Sequence, residues 1–241
     1  MRAIVLAGGK GERLRPYTTD RPKPMVEIHG RPILAYQLSW LQRHGVREIV
    51  ISCGYRCEVI REYFGDGAAY GLRIRYAIEE TPLGRGGGIK AAFALLDPSA
   101  GEEPIVGTNG DILTDLDLSA MVAEHRRRGV LATLYLAQLR SPYGIVELDD
   151  GRLVRAFREK PELPYWVNGG LYVFSPAIRP ALPDRGDIEE LTFPQLAAAG
   201  QLAGHPVRAY WRPVDTVKDL TEVQHELEAQ PLPSLPPWRE A

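Results

Sequence analysis

The sequence predicts an α/β fold of three layers, in which helices cover an open, mixed and mainly parallel sheet. In the first half of the chain, short apolar runs alternate with amphipathic segments of helical period, as expected for strands joined by crossover helices. With 241 residues, of which 44% are hydrophobic and 25% are charged, the chain can bury one large core. We expect a single domain over 1–228, followed by a Pro-rich tail over 229–241.

Strands and helices are predicted to alternate in the first half. The strands are Ala3–Ala7, Glu48–Ser52, Arg73–Ile78 and Pro104–Thr108, and the helices are Ile33–His44, Glu58–Phe64 and Gly88–Leu96. Ligands of such sheets bind beyond the carboxyl ends of the strands. The turn Gly8–Gly11, the segment Pro82–Gly88 and Asp111 all follow predicted strands, so we expect them to contribute to one site.

The second half mixes strands and turns, and we interpret it as a β-rich part of the same domain. The predicted strands are Val130–Ala137, Gly144–Leu148, Leu153–Phe157 and Gly169–Phe174, and the predicted helices are Ile188–Ala199 and Thr216–Glu228. Asp149-Asp150-Gly151 is a hairpin turn between two of these strands. The tail contains Pro-Leu-Pro-Ser-Leu-Pro-Pro and is expected to be extended; through Trp238 it could pack on the domain or on a second subunit.

Composition argues against several classes of protein. The net charge of −2 does not fit a nucleic-acid-binding surface, and no apolar run forms a membrane span or a signal peptide. Cys53 and Cys57 are too few for a disulfide framework or a zinc site, so a reducing cytoplasm is the expected location.

The first twenty-five residues contain the most specific motif. A strand ends in Leu6-Ala7-Gly8-Gly9-Lys10-Gly11, and its glycines allow the backbone to approach a phosphate closely. Arg13 and Lys23 follow as cations that would neutralise it. A Walker loop would need Gly-Lys-Ser/Thr, and a dinucleotide fingerprint would need a third glycine at the position of Arg13. The structural alternative is a plain glycine turn between a strand and a helix.

This motif resembles the nucleoside triphosphate loop of the sugar-1-phosphate nucleotidylyltransferases, and the resemblance spans about residues 1–225. It implies a Rossmann-like core, with 1–128 mainly binding the nucleotide and 129–228 mainly the sugar phosphate. It also implies Mg²⁺-dependent transfer of a nucleoside monophosphate from a nucleoside triphosphate to a sugar 1-phosphate, with release of pyrophosphate. Neither nucleic acid nor membrane is an expected partner, whereas a homo-oligomer is compatible with the family.

The resemblance assigns roles to individual residues of the first half. Those expected to bind the nucleotide are Leu6, Ala7, Gly8, Gly9, Lys10, Gly11, Glu79, Pro82, Gly84 and Asn109. Arg13 would neutralise the β- and γ-phosphates, and Lys23 would lie near the α-phosphate. Asp111 resembles the metal-ligating aspartate of the family; taken alone, it would equally be a turn residue.

The second metal ligand departs from the family pattern, which is Trp-x-Asp-Val-Gly-Thr-Pro. In Trp211-Arg212-Pro213-Val214-Asp215-Thr216, a proline occupies the usual aspartate position. Asp215 stands two residues later, on the same side of a strand, as in the similar glucose-1-phosphate cytidylyltransferases. Asp215 is therefore the expected second Mg²⁺ ligand, and Asp219 is expected to be a first-turn carboxylate of a helix.

Motifs of the second half resemble the sugar-phosphate pocket of the family. In Phe157-Arg158-Glu159-Lys160-Pro161, Lys160 would pair with the phosphate and Glu159 with sugar hydroxyls. Tyr143-Gly144 and Asn168-Gly169 match segments that line the pocket. Each motif alone is weak evidence, since Asn-Gly is usually a turn. The order of the motifs along the chain is what indicates a sugar-phosphate pocket.

The nucleobase is expected to contact Glu79, whose carboxylate only accepts hydrogen bonds. Guanine presents N1–H and N2–H₂ side by side, which favours GTP, whereas uracil and thymine present carbonyl oxygens. Pro82-Leu83-Gly84-x-Gly86-Gly87 also resembles heptose- and mannose-1-phosphate guanylyltransferases. The Val214-Asp215-Thr216 variant instead resembles cytidylyltransferases, so CTP stays open. Arg85 replaces a residue that is often Thr in relatives.

An alternative of a different class is a catalytically inactive relative that senses nucleotide or sugar phosphate. Such a protein tends to lose the cations or the metal carboxylates, whereas Arg13, Lys23, Asp111 and Lys160 are all present. The departure at Pro213 is the feature that supports this alternative.

Overall fold

The computed structural model describes residues 1–97, 99 and 101–230, which are organised around a seven-stranded sheet. Numbered along the chain, the strands are β1 (Arg2–Leu6), β2 (Glu27–Ile28), β3 (Arg31–Pro32), β4 (Glu48–Cys53), β5 (Arg73–Ile78), β6 (Ile105–Asn109), β7 (Ile112–Thr114), β8 (Ala132–Arg140), β9 (Ile145–Leu148), β10 (Val154–Arg158), β11 (Glu162–Phe174), β12 (Leu202–Pro206) and β13 (Trp211–Pro213). The helices are α1 (Ile33–Arg43), α2 (Cys57–Phe64), α3 (Gly84–Phe93), α4 (Leu118–Arg128), α5 (Ile188–Leu191), α6 (Phe193–Ala198) and α7 (Val217–Ala229).

The central sheet has the strand order β12-β8-β11-β6-β1-β4-β5. Its pairs are parallel except that β11 runs antiparallel to both β6 and β8. The predicted mixed, mainly parallel sheet is therefore confirmed. Strands from both halves of the chain belong to this one sheet; the assignment of each half to one ligand stays a prediction.

Both faces of the sheet are covered, which explains why its strands are continuous apolar runs. In β1, Ala3 and Val5 pack into one core with α1, α2 and α4, whereas Ile4 packs into a second core with α3 and α6. A smaller cluster joins α1, β2 and α7, with Val214 fully buried in it. Side chains that alternate along a strand thus separate the three layers.

Two predicted helices differ from the structure by more than one residue at an end. α3 begins at Gly84 rather than Gly88, because its first turn is a run of glycines that no periodic pattern marks as helical. The helix predicted over 188–199 is split into α5 and α6 at Thr192. Pro194 lacks the N–H that a continuous helix would need at this point.

Two further sequence expectations concern local turns. The hairpin turn at 149–151 is confirmed, since β9 and β10 pair antiparallel as a separate two-stranded sheet. Two cysteines are too few for a disulfide framework, but the structure joins Cys53 and Cys57 in one disulfide, which was not predicted from the sequence. The turn between β4 and α2 brings their Cα atoms to 5.4 Å, within the range that a disulfide spans.

No helix among the described residues is long and apolar enough to cross a membrane. The chain is helical up to Ala229, and residues 231–241, which include most of the predicted extended tail and Trp238, lie outside the described residues.

Candidate active site

Two cations and two aspartates from distant parts of the sequence meet at the carboxyl edge of the sheet. Lys23 Nζ lies 2.5 Å from Asp111 Oδ2 and 2.5 Å from Asp215 Oδ1. Arg13 Nη2 lies 3.1 Å from the same oxygen of Asp215. The Lys23 side chain is 11% exposed and that of Arg13 is 70% exposed. Lys23 is thus a fixed charge, whereas Arg13 can turn toward a ligand.

Lys23 is held beneath the glycine-rich loop. It begins a short 3₁₀ turn, Lys23–Met25, and its neighbours in the sequence are Pro22 and Pro24. A Cβ on Gly11, whose φ is +64°, would lie 2.8 Å from Lys23 Cβ. Thr18 Oγ1 donates to Gly11 O at 2.8 Å and fixes the loop from the other side. Gly11 is therefore required both by its backbone conformation and by the close approach of Lys23.

The two aspartates come together because β7 and β13 pair antiparallel. Asp111 precedes β7, and its carbonyl oxygen accepts the N–H of Val214 at 3.1 Å. Asp215 lies two residues after the end of β13, and Pro213 lines the same groove as Asp215. The proline at the usual aspartate position therefore leaves the strand pairing intact, and the carboxylate two residues later reaches Lys23.

Asp219 acts as predicted, as a first-turn carboxylate of α7. Its Oδ2 accepts the N–H of Thr216 at 2.8 Å, and Thr216 Oγ1 accepts the N–H of Asp219 at 3.2 Å. This capping box satisfies the free N–H groups at the helix start. The N–H of Asp215 also donates to Asp219 Oδ2, at 3.2 Å, so the cap orients the candidate metal ligand.

The donor set fits Mg²⁺ that binds together with a phosphate. Asp111 and Asp215 direct one oxygen each at a common cation, the Lys23 ammonium. Within the described part of the chain, no group of three or more His, Cys, Asp or Glu side chains could hold a metal ion. Mg²⁺ is usually held by one or two carboxylates together with substrate phosphates and water. The metal role of the two aspartates stays a prediction.

A pocket of about 340 Å³ lies beside this cluster. It is lined by Leu6, Gly8, Gly9, Glu79, Pro82, Gly84, Arg85, Asn109, Asp111 and Asp187. Glu79 Oε1 accepts the hydroxyl of Ser52 at 2.7 Å, and Oε2 accepts the N–H of Leu83 at 3.0 Å. Because each carboxylate oxygen can accept a second hydrogen bond, Glu79 can still receive donors from a ligand.

The remaining residues of the predicted nucleotide loop lie around this pocket. Ala7 N–H donates to Ser52 O at 2.7 Å, and Leu6 O accepts the N–H of Gly110 at 2.8 Å, so the loop starts from a fixed strand end. Lys10 is exposed, and none of the described residues forms an ion pair with it.

Asn109 connects the pocket to the second half of the chain. Its carbonyl oxygen accepts the amide of Gln37 at 2.5 Å, and its side-chain Oδ1 is buried without a hydrogen-bond partner among the described residues. A Cβ on Gly170 would lie 2.7 Å from Asn109 Nδ2. The part of β11 that follows Asn168, where the pairing with β8 shifts register, therefore adjoins the pocket.

The predicted sugar-phosphate residues form two groups. Asn168 and Gly169 belong to β11: Asn168 Oδ1 accepts the N–H of Gly170 at 3.0 Å, and Gly169 O accepts Trp211 Nε1 at 2.8 Å. The second group, Tyr143, Gly144, Glu159 and Lys160, lies at the base of the β9–β10 hairpin.

In this second group, Tyr143 is 76% exposed, and a Cβ on Gly144 would lie 3.0 Å from Glu159 Oε2. Glu159 and Lys160 are exposed, and neither has a hydrogen bond or ion pair to any residue that the structure describes. The structure thus brings Gly170, which follows Asn168 and Gly169, against Asn109 of the pocket, and it leaves the second group without a contact to Lys23.

Sequence analysis missed Ser52, Arg85 and Asp187 as residues of the site. Arg85 donates to Asp187 Oδ1 through its backbone N–H at 3.0 Å and through Nε at 3.3 Å. The first of these hydrogen bonds is the main reason that the pKa of Asp187 lies below its usual range. The end of a predicted strand could have indicated Ser52, but nothing local marks Asp187.

A family model and curated relatives match most of this chain. The family model described as nucleotidyl transferase matches residues 2–230. Mannose-1-phosphate guanylyltransferase of Mycobacterium tuberculosis is 36% identical over 233 residues, which cover 93% of this chain and 64% of that protein. UTP–glucose-1-phosphate uridylyltransferase of Synechocystis is 34% identical over 219 residues, 83% of this chain and 56% of that protein.

A solved structure shares the fold. HddC from Yersinia pseudotuberculosis superposes with a TM-score of 0.74 and 25% identity, over 94% of this chain and 99% of that chain. The chain spans about three fifths of the length of the two curated relatives. The resemblance seen in the sequence motifs is confirmed, and this chain belongs to the nucleotidyl transferase family.

Proposed function

We propose that this protein transfers a nucleoside monophosphate from a nucleoside triphosphate to a sugar 1-phosphate. An oxygen of the sugar phosphate forms a bond to the α-phosphorus, and the bond from that phosphorus to pyrophosphate breaks. The observation that carries the proposal is the meeting of Lys23, Arg13 and two aspartates beside the pocket. The two curated relatives are named for guanylyl and uridylyl transfer to sugar 1-phosphates.

The residues around the loop provide what a triphosphate needs, because this chemistry depends mainly on positioning and neutralisation of charge. Backbone N–H groups of Gly8–Gly11 would hold the triphosphate. Arg13 would turn from Asp215 to the β- and γ-phosphates, and Lys23 would stay near the α-phosphate. A Mg²⁺ ion held by Asp111 and Asp215 would act as a Lewis acid on the phosphate oxygens.

The sugar phosphate would approach from the second half of the chain. Asn168 and Gly169 adjoin the pocket through Gly170, so they would contact the sugar. Among the described residues, none pairs with the Lys160 ammonium or the Glu159 carboxylate, so the first could bind the phosphate and the second could bind sugar hydroxyls. Because both side chains are exposed, they can reach a ligand without breaking an ion pair.

GTP is the nucleotide that we propose, with mannose 1-phosphate as the first sugar phosphate to test. Glu79 has acceptor positions left for the adjacent N1–H and N2–H₂ donors of guanine, and the relative from Mycobacterium tuberculosis is named as a mannose-1-phosphate guanylyltransferase. The cytidylyltransferase-like Val214-Asp215-Thr216 segment supports CTP with a hexose 1-phosphate as the second candidate.

The test measures pyrophosphate release with Mg²⁺ across GTP, CTP, UTP, dTTP and ATP, each combined with several sugar 1-phosphates. Parallel reactions with EDTA show whether turnover needs the metal. Release that is strongest for GTP would support the full proposal, and release that is strongest for CTP would replace the nucleotide. A protein that binds a nucleotide in calorimetry and releases no pyrophosphate in any reaction would contradict the proposed activity and favour the sensing alternative.

A further inference from the structure

Arg85, in the first turn of α3, contacts two carboxylates of the second half of the chain. Its Nε lies 3.3 Å from Asp187 Oδ1, and its Nη1 lies 3.1 Å from Glu189 Oε1. Its backbone N–H donates to the same oxygen of Asp187. One side chain at the start of α3 therefore binds both residues that flank the start of α5.

The segment that carries these carboxylates also packs against the backbone of the glycine-rich start of α3. Gly186 N–H donates to Leu83 O at 2.8 Å, and Gly86 N–H donates to Gly186 O at 2.9 Å. A Cβ on Gly84 would lie 2.7 Å from the Gly186 backbone, and one on Gly86 would lie 2.6 Å from Pro183. The wall of the nucleotide pocket and the segment 183–189 are thus in direct backbone contact.

From Glu189, a chain of hydrogen bonds leads to Asn168 in β11, a residue that is expected to contact the sugar. Tyr172 Oη donates to Glu189 Oε1 at 3.2 Å, and Asn168 Nδ2 donates to Tyr172 Oη at 3.1 Å. Asn168 Oδ1 in turn accepts the N–H of Gly170. Tyr172 is 1% exposed, and its burial together with the Glu189 charge raises the pKa of its hydroxyl. The hydroxyl therefore keeps the proton that it donates.

We propose that Arg85 is a positioning residue that couples the nucleotide pocket to the sugar-phosphate pocket, so that each ligand strengthens the binding of the other. This inference rests on the proposed function. A nucleotide packed against Pro82 and Gly84 restricts the loop, and Arg85 extends that restriction to Asp187 and Glu189. The second ligand then meets a network that is already ordered and loses less conformational entropy on binding.

The two contacts need an arginine. Its planar guanidinium presents donors in a fixed fork, so Nε and Nη1 reach different carboxylates at the same time. Thr at this position would be too short to contact Glu189. The carboxylate of Glu189, whose Oε2 is buried without a hydrogen-bond partner among the described residues, would then lose its counter-charge beside Tyr172.

The experiment compares the wild-type chain with R85T by isothermal titration calorimetry in Mg²⁺. The probe is α,β-methylene-GTP, titrated with and without mannose 1-phosphate; if the pyrophosphate screen selects another pair, that pair is used. For the wild-type chain we expect the sugar phosphate to tighten nucleotide binding about fivefold or more, and for R85T less than about twofold. The readout is the ratio of the nucleotide affinities measured with and without the sugar phosphate for one protein, so a change in the nucleotide affinity of the free variant cancels from it.

A second variant tests the same path through an isosteric change. E189Q keeps an oxygen that accepts from Tyr172 and removes the charge that pairs with Arg85, so it should lose coupling as R85T does. The double variant should lose no more than either single variant, because both act through one contact. If R85T fails to fold, the E189Q result decides the inference alone.

Arg126→Thr is the matched control. Arg126 is exposed to a similar extent, 52% against 47% for Arg85, and pairs with Glu103, so this variant should keep the full coupling. Thermal unfolding of every variant shows whether it is still folded, so that loss of the contact can be told from loss of the fold. Coupling retained in folded R85T, or a wild-type chain that binds both ligands independently, would overturn the inference. A wild-type chain without turnover contradicts the proposed function instead.

Discussion

The carboxyl edge of the central sheet and the β9–β10 hairpin both carry candidate site residues, but they hold them differently. At the sheet edge, the Lys23 side chain is 11% exposed and lies between two carboxylates. At the hairpin, the ammonium of Lys160 has no partner among the residues that the structure describes. Apolar side chains are exposed there as well, including Tyr143 at 76% and Phe157 at 64%.

The difference follows from how each region is built. β1 and β6, which end at the site, have neighbouring strands on both sides and belong to the central sheet with cores on both faces, whereas β9 and β10 pair only with each other in the described structure. A two-stranded hairpin gains little stability alone. We therefore expect the carboxyl edge of the sheet to keep its geometry without ligands, and we expect the hairpin to become more ordered when the proposed sugar phosphate binds.

The largest effect is expected for Asp111→Asn, at the sheet edge. Loss of the carboxylate charge would remove one of the two proposed ligands of Mg²⁺, and we expect turnover to fall by about 10³-fold, comparable to the loss of a main electrostatic contact in an active site. Pyrophosphate release at saturating Mg²⁺ measures it. Asp20→Asn, at a carboxylate that is 71% exposed, is the control. Near-normal activity of the Asp111 variant would remove this residue from the site.

The next effect tests whether the sheet edge is preorganised. Gly11→Ala places a Cβ 2.8 Å from Lys23 Cβ at a φ of +64°, so we expect a lower melting temperature and a loss of turnover of roughly 10²-fold. Gly129→Ala is the matched control, because Gly129 has a φ of +63° and a Cβ there meets no atom within 4 Å. Equal melting temperatures and equal turnover of the two variants would mean that the glycine-rich loop adapts to the added methyl group. The carboxyl edge of the sheet would then be no more rigid than the hairpin.

The same contrast limits what could be predicted from the sequence. The strand predicted at Glu48–Ser52 is observed at Glu48–Cys53, because burial on both faces gives a continuous apolar run. The meeting of the Gly8–Gly11 loop and Asp111 was predictable from the rule that carboxyl ends of parallel strands share one edge.

Contacts between the two halves of the chain were not predictable. No local pattern relates Arg85 to Asp187 or brings Gly170 to Asn109, since these contacts depend on the place of β11 beside β6. The Cys53–Cys57 disulfide likewise depends on the geometry of one turn. Sequence patterns report how each segment is buried, and they carry little information on which distant segment covers it.

A smaller effect is expected at the hairpin for Lys160→Met. Loss of a charged hydrogen bond, worth about 1.5–3 kcal/mol, should raise the KM for the sugar phosphate roughly 10- to 100-fold. The melting temperature should not change, because Lys160 is exposed and makes no ion pair with a described residue. Lys218→Met, at a side chain that is 72% exposed, is the control. A change in the KM for the nucleotide alone would contradict the assignment of the hairpin to the sugar phosphate.

The smallest effect concerns the choice of base at the preorganised edge, and Glu79→Gln tests it. The amide can replace the carboxylate locally, because its oxygen can accept the N–H of Leu83 and its NH₂ can donate to Ser52 Oγ, so the fold should be kept. A guanine would then face a donor where it needs an acceptor, whereas the carbonyl oxygens of uracil would gain a partner. We expect the ratio of kcat/KM for GTP to that for UTP to fall about tenfold, the size of one hydrogen-bond difference. An unchanged ratio would mean that residues other than Glu79 select the base. The proposed role of the carboxyl edge of the sheet would then be limited to binding the phosphates.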